Sequence, residues 1–241
     1  MKHRHSTLQK ILAWGVHGFT ASGLIFGFLA LLEIAAHEWR MAFFWLLICF
    51  LVDGLDGTFA RLARVQEVLP KVNGKTIDYV IDFATYSIIP VYFFYEAQVV
   101  STPWLYVCVV VMLLASALYY GMEGMVSEDL YFIGFPMLWN VVVFYEYFIF
   151  EWPEWAHILL ILCLAVLHFV PIKFTYPSRT VEFRTLNLTA SVLLFLGILA
   201  ALFYYPDKPI WVTVIANGAA LYFCGMAIYN TWLKPAAKLK A

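Results

Sequence analysis

Four aspartates, Asp53, Asp56, Asp78 and Asp82, are the residues of this chain whose type and spacing could do chemistry. They form two pairs, spaced by three and by four positions, which puts both members of a pair on one helical face. Each falls inside an apolar stretch, where a carboxylate costs about 2.5–3.5 kcal/mol at a helix centre on insertion scales. Something positive and shared has to offset that. With no His or Cys beside them the donors are all oxygen, a set that favours a hard divalent cation such as Mg²⁺ or Mn²⁺ over zinc or copper. Two carboxylate pairs can hold two such ions, the arrangement that stabilises charge in phosphoryl transfer. Gly57, Ala60, Arg61 and Arg64 continue the stripe of Asp53. The small residues leave a ligand room against the backbone, and Arg61 offers a fork of donors shaped for phosphate oxygens. Two other readings compete on residues alone: buried ion pairs with Arg61, Arg64, Lys71 and Lys75 that fix helix packing, and an acid-lined path for ions or protons.

The elements that must carry these aspartates are membrane helices. Of 241 residues, 63% are hydrophobic and 13% charged, with a mean hydropathy of +0.81; soluble domains carry about 25% charged residues. Aromatic residues make up 19% of the chain, and Trp and Tyr gather where headgroups meet hydrocarbon. Apolar stretches at 14–35, 40–62, 76–98, 103–122, 132–150, 154–171, 186–205 and 209–232 predict an all-α polytopic protein of about eight spans, folding as one domain over 1–241. Residues 1–13 are a candidate interfacial segment, with the frayed start of the first helix as the alternative. Lys2, Arg4 and Lys10 precede a stretch long enough to be a retained helix rather than a secretory signal.

Loop charge gives the orientation. Lys2, Arg4, Lys10, Arg61, Arg64, Lys71, Lys75, Lys173, Arg179, Arg184, Lys234, Lys238 and Lys240 fall on one side, against Arg40 and Lys208 on the other. Both termini and the aspartates are therefore expected at the cytoplasmic face. A net charge of −1 offers nothing to nucleic acid. Cys49, Cys108, Cys163 and Cys224 stand singly in apolar runs, so they read as reduced core residues rather than a metal site.

The run Asp53-Gly54-Leu55-Asp56-Gly57-Thr58-Phe59-Ala60-Arg61, then twelve residues, then Gly74-x3-Asp78-x3-Asp82, resembles the signature of the CDP-alcohol phosphotransferases. Its spacer is longer than the common form of that pattern, so the loop beside the nucleotide is expected to differ. The doubled Asp-Gly, Pro70, Tyr119-Tyr120, Gly134-Phe135-Pro136 and Trp139-Asn140 are similar to bacterial members that take choline as acceptor. The resemblance implies condensation of CDP-diacylglycerol with choline to give phosphatidylcholine and CMP. It implies an inner-membrane enzyme with its site open to the cytoplasm, and a homodimer is an arrangement some relatives adopt. Asp53, Asp56, Asp78 and Asp82 would hold Mn²⁺ or Mg²⁺, two ions per site, and Asp82 would also take the acceptor's proton. Gly57, Ala60, Arg61 and Gly74 would surround the CDP moiety. Rival readings are the same chemistry on serine, glycerol phosphate or inositol phosphate, and a cation transporter built on the same acids.

Choline is a permanent cation, so aromatic faces and a carboxylate should receive its head. Tyr86, one turn beyond Asp82, leads the candidates, followed by Tyr120, Glu123 and Trp139. Relatives often open the first span with Pro-Asn-x-Leu-Thr, where this chain has His17-Gly18-Phe19-Thr20; His17 reads as a packed structural histidine. Lys173, Arg179 and Arg184 suit either topology or docking of the lipid pyrophosphate, and Glu146 and His168 read as paired packing residues.

Overall fold

A computed structural model describes residues 5–234; Lys2, Arg4, Lys238 and Lys240, which enter the orientation argument, lie outside that range. The chain is helical almost throughout and divides into two compact units, Met1–Val99 with Leu138–Tyr145, and Val100–Met137 with Glu146–Ala241.

The first unit begins with α1, Thr7–Ala35, and α2, Trp39–Leu62. Ser6 and Gln9 form a capping box at the start of α1, so residues 7–13 are its first turns and the helix runs unbroken from there. The buried face of α1 is Ala13, His17, Thr20, Gly23, Gly27, Ala30 and Ile34, a stripe of mostly small side chains at helical spacing. Small residues let membrane helices approach closely. A Cβ on Gly23 would stand 3.1 Å from Ile81 Cγ2, and one on Gly27 2.9 Å from Ile89 Cδ1.

After α2 the chain turns through Arg64, at φ 48°, into the short α3, Val65–Val68. Val65 and Val68 bury against Ala13, with Val16, Ala60, Ala63 and Leu69 around them. The long spacer between Arg61 and Gly74 is thus partly a packed helix rather than a free loop. Asn73 caps α4, Gly74–Asp82, by accepting a hydrogen bond from the Thr76 amide at 3.3 Å. The helix continues as a π-helical turn over Phe83–Ile88 and then α5, Ile89–Glu96. Pro90 supplies the reason, because it has no N–H to give the Tyr86 carbonyl and its ring crowds that group. A wider turn immediately before it relieves both problems. Trp39, Phe43, Phe93 and Phe144 interlock edge to face beneath, with centroids 4.5–5.6 Å apart; Phe144 comes from α7, Trp139–Phe144.

The second unit holds α6, Trp104–Tyr120; α8, Glu154–Leu167; α9, Arg184–Tyr204; and α10, Ile210–Ile228. Its loops meet in a two-stranded antiparallel ribbon, β1, Tyr131–Ile133, with β2, Lys173–Thr175, in the register Tyr131↔Thr175. Gly134 leaves β1 at φ 82°, and its amide donates to Ile172 O at 2.9 Å. His168 Nδ1 donates to Phe135 O at 2.6 Å.

Five helical stretches are long and apolar enough to cross a bilayer: Thr7–Ala35, Trp39–Leu62, Gly74–Glu96, Arg184–Tyr204 and Ile210–Leu233. The stretches expected at 103–122 and 154–171 form apolar helices of 17 and 14 residues. The stretch at 132–150 departs most from expectation. It starts in β1, turns at Gly134 and Pro136, and is helical only from Trp139, ending in a π-helical turn over Tyr145–Ile149. At about 1.5 Å per residue, that helix falls short of a hydrocarbon core about 30 Å thick.

Candidate metal centre

The site lies within the first unit, where α2 carries Asp53 and Asp56 and α4 carries Asp78 and Asp82. One carboxylate oxygen each from Asp53, Asp78 and Asp82 falls within 4.8 Å of the others, a grouping able to hold a metal ion. Asp56 is buried at 7% exposure and lines the same pocket, where it interacts with Thr20, Asp78 and Arg61. All four aspartates line one small pocket with Thr20, Gly23, Cys49, Val52, Ile81 and Thr85. Asp53 and Asp82 also interact directly. Carboxylates brought this close from two helices repel one another in a medium of low dielectric unless a cation or a shared proton lies among them. The donor set fits a hard divalent ion, since the clustered ligand atoms are carboxylate oxygens and the sulfur in the lining, that of Cys49, is turned to Gly23 O at 3.3 Å.

Tyr86, expected beside the aspartates, is there. The ring is 4% exposed and the hydroxyl donates to Asp53 Oδ2 at 2.6 Å. Arg61 is exposed, with Nη2 donating to Thr58 Oγ1 at 3.0 Å. A Cβ on Gly57 would meet the Arg61 guanidinium at 3.3 Å, whereas Gly54 has open space above it. Ala60 packs on the α3 cluster. Gly74, at the first turn of α4, abuts His17: a Cβ there would lie 3.1 Å from the imidazole Cε1. His17 is buried at 7% exposure with Nε2 lacking a hydrogen-bond partner.

Tyr120, Glu123 and Trp139, the other residues expected around choline, are not among the residues lining this pocket. Trp139 is fully buried in the first unit, while Tyr120 ends α6 and the exposed Glu123 follows it in the second. Lys173 pairs with Asp129 at 2.7 Å, and the Arg179 guanidinium lies over the Tyr176 ring at 4.9 Å. Glu146 and His157 form a buried pair, with His157 Nε2 donating to Trp152 O at 3.1 Å. Sequence reasoning missed the contribution of α1, whose Thr20 and Gly23 form one wall of the pocket. The signal was the run of small residues at three- and four-residue spacing along α1.

No protein-family model matches the chain. Full-length relatives do. It is 36% identical over 229 residues to a phosphatidylcholine synthase of Rhizobium meliloti, covering 94% of each chain. To that of Rhizobium johnstonii it is 37% identical over 219 residues, 90% of each. To that of Pseudomonas aeruginosa it is 35% identical over 227 residues, 93% of this chain and 94% of the relative. The chain belongs to the phosphatidylcholine synthase family. The pocket joins the aspartates of α2 and those of α4 in one cavity.

Proposed function

We propose that this chain condenses CDP-diacylglycerol with choline, forming phosphatidylcholine and releasing CMP. The observation that carries the reading is the convergence of Asp53, Asp56, Asp78 and Asp82 on one pocket in a chain that matches phosphatidylcholine synthases over nine-tenths of its length. In the reaction the choline hydroxyl oxygen bonds to the phosphorus bearing the diacylglycerol, and the bond from that phosphorus to the CMP oxygen breaks.

Asp53, Asp56, Asp78 and Asp82 are the residues that would hold the divalent ions, two per site, as Mn²⁺ or Mg²⁺. Such ions supply charge neutralisation for the pyrophosphate and for the leaving phosphate. Asp82 accepts the proton of the choline hydroxyl, the general-base role that a carboxylate beside the acceptor can fill. The open space above Gly54, and above Gly57 once the exposed Arg61 guanidinium swings from Thr58 to a phosphate oxygen, gives the CDP moiety a place against α2. Gly74, whose missing Cβ lets the start of α4 abut His17, is a further residue assigned to the surroundings of the CDP moiety. The residues lining the pocket include four aspartates and no Lys or Arg, which suits a cationic acceptor.

The proposed location is the inner membrane, with this pocket at the cytoplasmic face; the distribution of lysines and arginines among the loops supports that orientation. Choline and CMP exchange with the cytoplasm while the acyl chains stay in the leaflet.

The test is CMP release by purified protein in liposomes with CDP-diacylglycerol, Mn²⁺ or Mg²⁺, and choline, serine, glycerol phosphate or inositol phosphate in turn. Release that depends on choline and stops with a chelator is the expected result. Release driven by another acceptor reassigns the substrate, and cation flux without any CMP removes the transferase reading.

A further inference from the structure

We infer that Tyr86 is a positioning residue of the metal centre, acting through Asp53 by fixing which of its oxygens faces the ion; the inference rests on the metal reading above. A monodentate carboxylate can present either oxygen and swing about its own stem, and each freedom is lost when an ion binds. Groups that hold a ligand in place beforehand remove that loss, which is why the partners of metal ligands matter almost as much as the ligands.

Tyr86 is built for this task. Its hydroxyl donates to Asp53 Oδ2 at 2.6 Å, which engages one of the two carboxylate oxygens before any ion arrives. The ring that carries the hydroxyl is 4% exposed and seated edge-on against Phe50, centroids 6.3 Å apart. A phenol on so confined a ring has little freedom to follow a wandering carboxylate. Phe50 and Asp53 lie one turn apart on α2, so that helix supplies both the ligand and the seat for its partner. Tyr86 sits in the π-helical turn immediately after Asp82, so one backbone segment brings both a ligand and the orienting hydroxyl of the opposite ligand to the pocket.

The alternative assignment, a ring that cradles the choline head, makes a different prediction. Tyr86→Phe keeps the ring and deletes only the hydroxyl. Mn²⁺ binding to detergent-solubilised protein, followed by the loss of the free-ion electron paramagnetic resonance signal, should weaken by 10–100-fold in this variant. At saturating Mn²⁺ its KM for choline should stay within twofold of wild type. Thermal unfolding of both proteins without metal reports folding separately. If Tyr86→Phe is not recovered as folded protein, Phe50→Leu carries the same test, since it removes the seat and spares every oxygen; a several-fold loss of Mn²⁺ affinity is expected.

Mn²⁺ affinity unchanged in the variant, with wild type binding normally, overturns the role of Tyr86 and leaves the metal centre standing. A raised KM for choline with unchanged Mn²⁺ affinity overturns it in favour of the choline cradle. Wild type that binds no Mn²⁺ overturns the metal reading and this inference together.

Discussion

Replacing Gly134 by alanine should unfold the second unit at markedly lower temperature, and the size of the effect can be worked from its surroundings. Gly134 holds φ 82°, a left-handed conformation that costs an L-residue roughly 1–2 kcal/mol. An added Cβ would also lie 2.0 Å from His168 O and 2.8 Å from its carbonyl carbon. Those atoms are backbone and cannot rotate away, so the two segments must part by about an ångström. The opening strains the hydrogen bonds from Gly134 N to Ile172 O and from Phe135 N to Leu167 O, both 2.9 Å. Each contributes about 0.5–1.5 kcal/mol net. The total comes to about 2–5 kcal/mol, or a fall in Tm on the order of 10 °C for a chain of this size. Gly124 is the control: it has φ 82° too, but nothing within 4 Å of an added Cβ. Gly124→Ala should therefore show only the backbone part, about 1–2 kcal/mol. Tryptophan fluorescence during thermal unfolding in detergent reads both. Equal shifts in the two variants would refute the argument that the ribbon and the end of α8 are locked by a contact only glycine permits.

Further outcomes can be checked in the same preparation. Asp82→Asn should abolish choline-dependent CMP release while retaining CDP-lipid binding, measured by equilibrium binding of labelled CDP-diacylglycerol; loss of both would make Asp82 structural. Glu146→Gln or His157→Leu should each destabilise by about 3–5 kcal/mol, because breaking a buried pair strands its partner without compensation, and thermal unfolding measures this. Asp129 is only lightly buried, a pull upward on its pKa that the hydrogen bond from Lys173 outweighs, so its carboxyl titrates below the usual range. Its pairing therefore adds stability that is present above about pH 4 and is lost as pH falls through the lower folded value. The difference in stability between wild type and Asp129→Asn, read from thermal unfolding, should shrink to nothing on acidification and stay under about 1 kcal/mol at neutral pH.

Much of the site was legible because its signal is local. Carboxylates spaced by three and four residues inside apolar runs have few explanations, and α2 and α4 carry them where the spacing requires. The identity of the long helices was equally readable from hydropathy, within two residues at most ends after α1. The stretch at 132–150 was misread because Tyr131–Ile133 and the residues after Pro136 are apolar in both settings. Hydropathy cannot distinguish a ribbon strand plus a short helix from one span, and Gly134 was the cue that the run is broken. The π-helical turn at Phe83–Ile88 follows from Pro90, whose missing donor was visible but whose relief was not. The wall supplied by Thr20 and Gly23 depends on which face of α1 turns inward, and the low amphipathicity of a membrane helix hides that face from any count of polar residues.

The most direct test of the metal centre is anomalous diffraction at the manganese edge from crystals grown with Mn²⁺ and CDP-diacylglycerol. Density among the carboxylates of Asp53, Asp56, Asp78 and Asp82, at bonding distance from at least three of them, is what this account predicts. Manganese bound elsewhere, or these side chains engaged only with protein partners in a crystal of active enzyme, would contradict it.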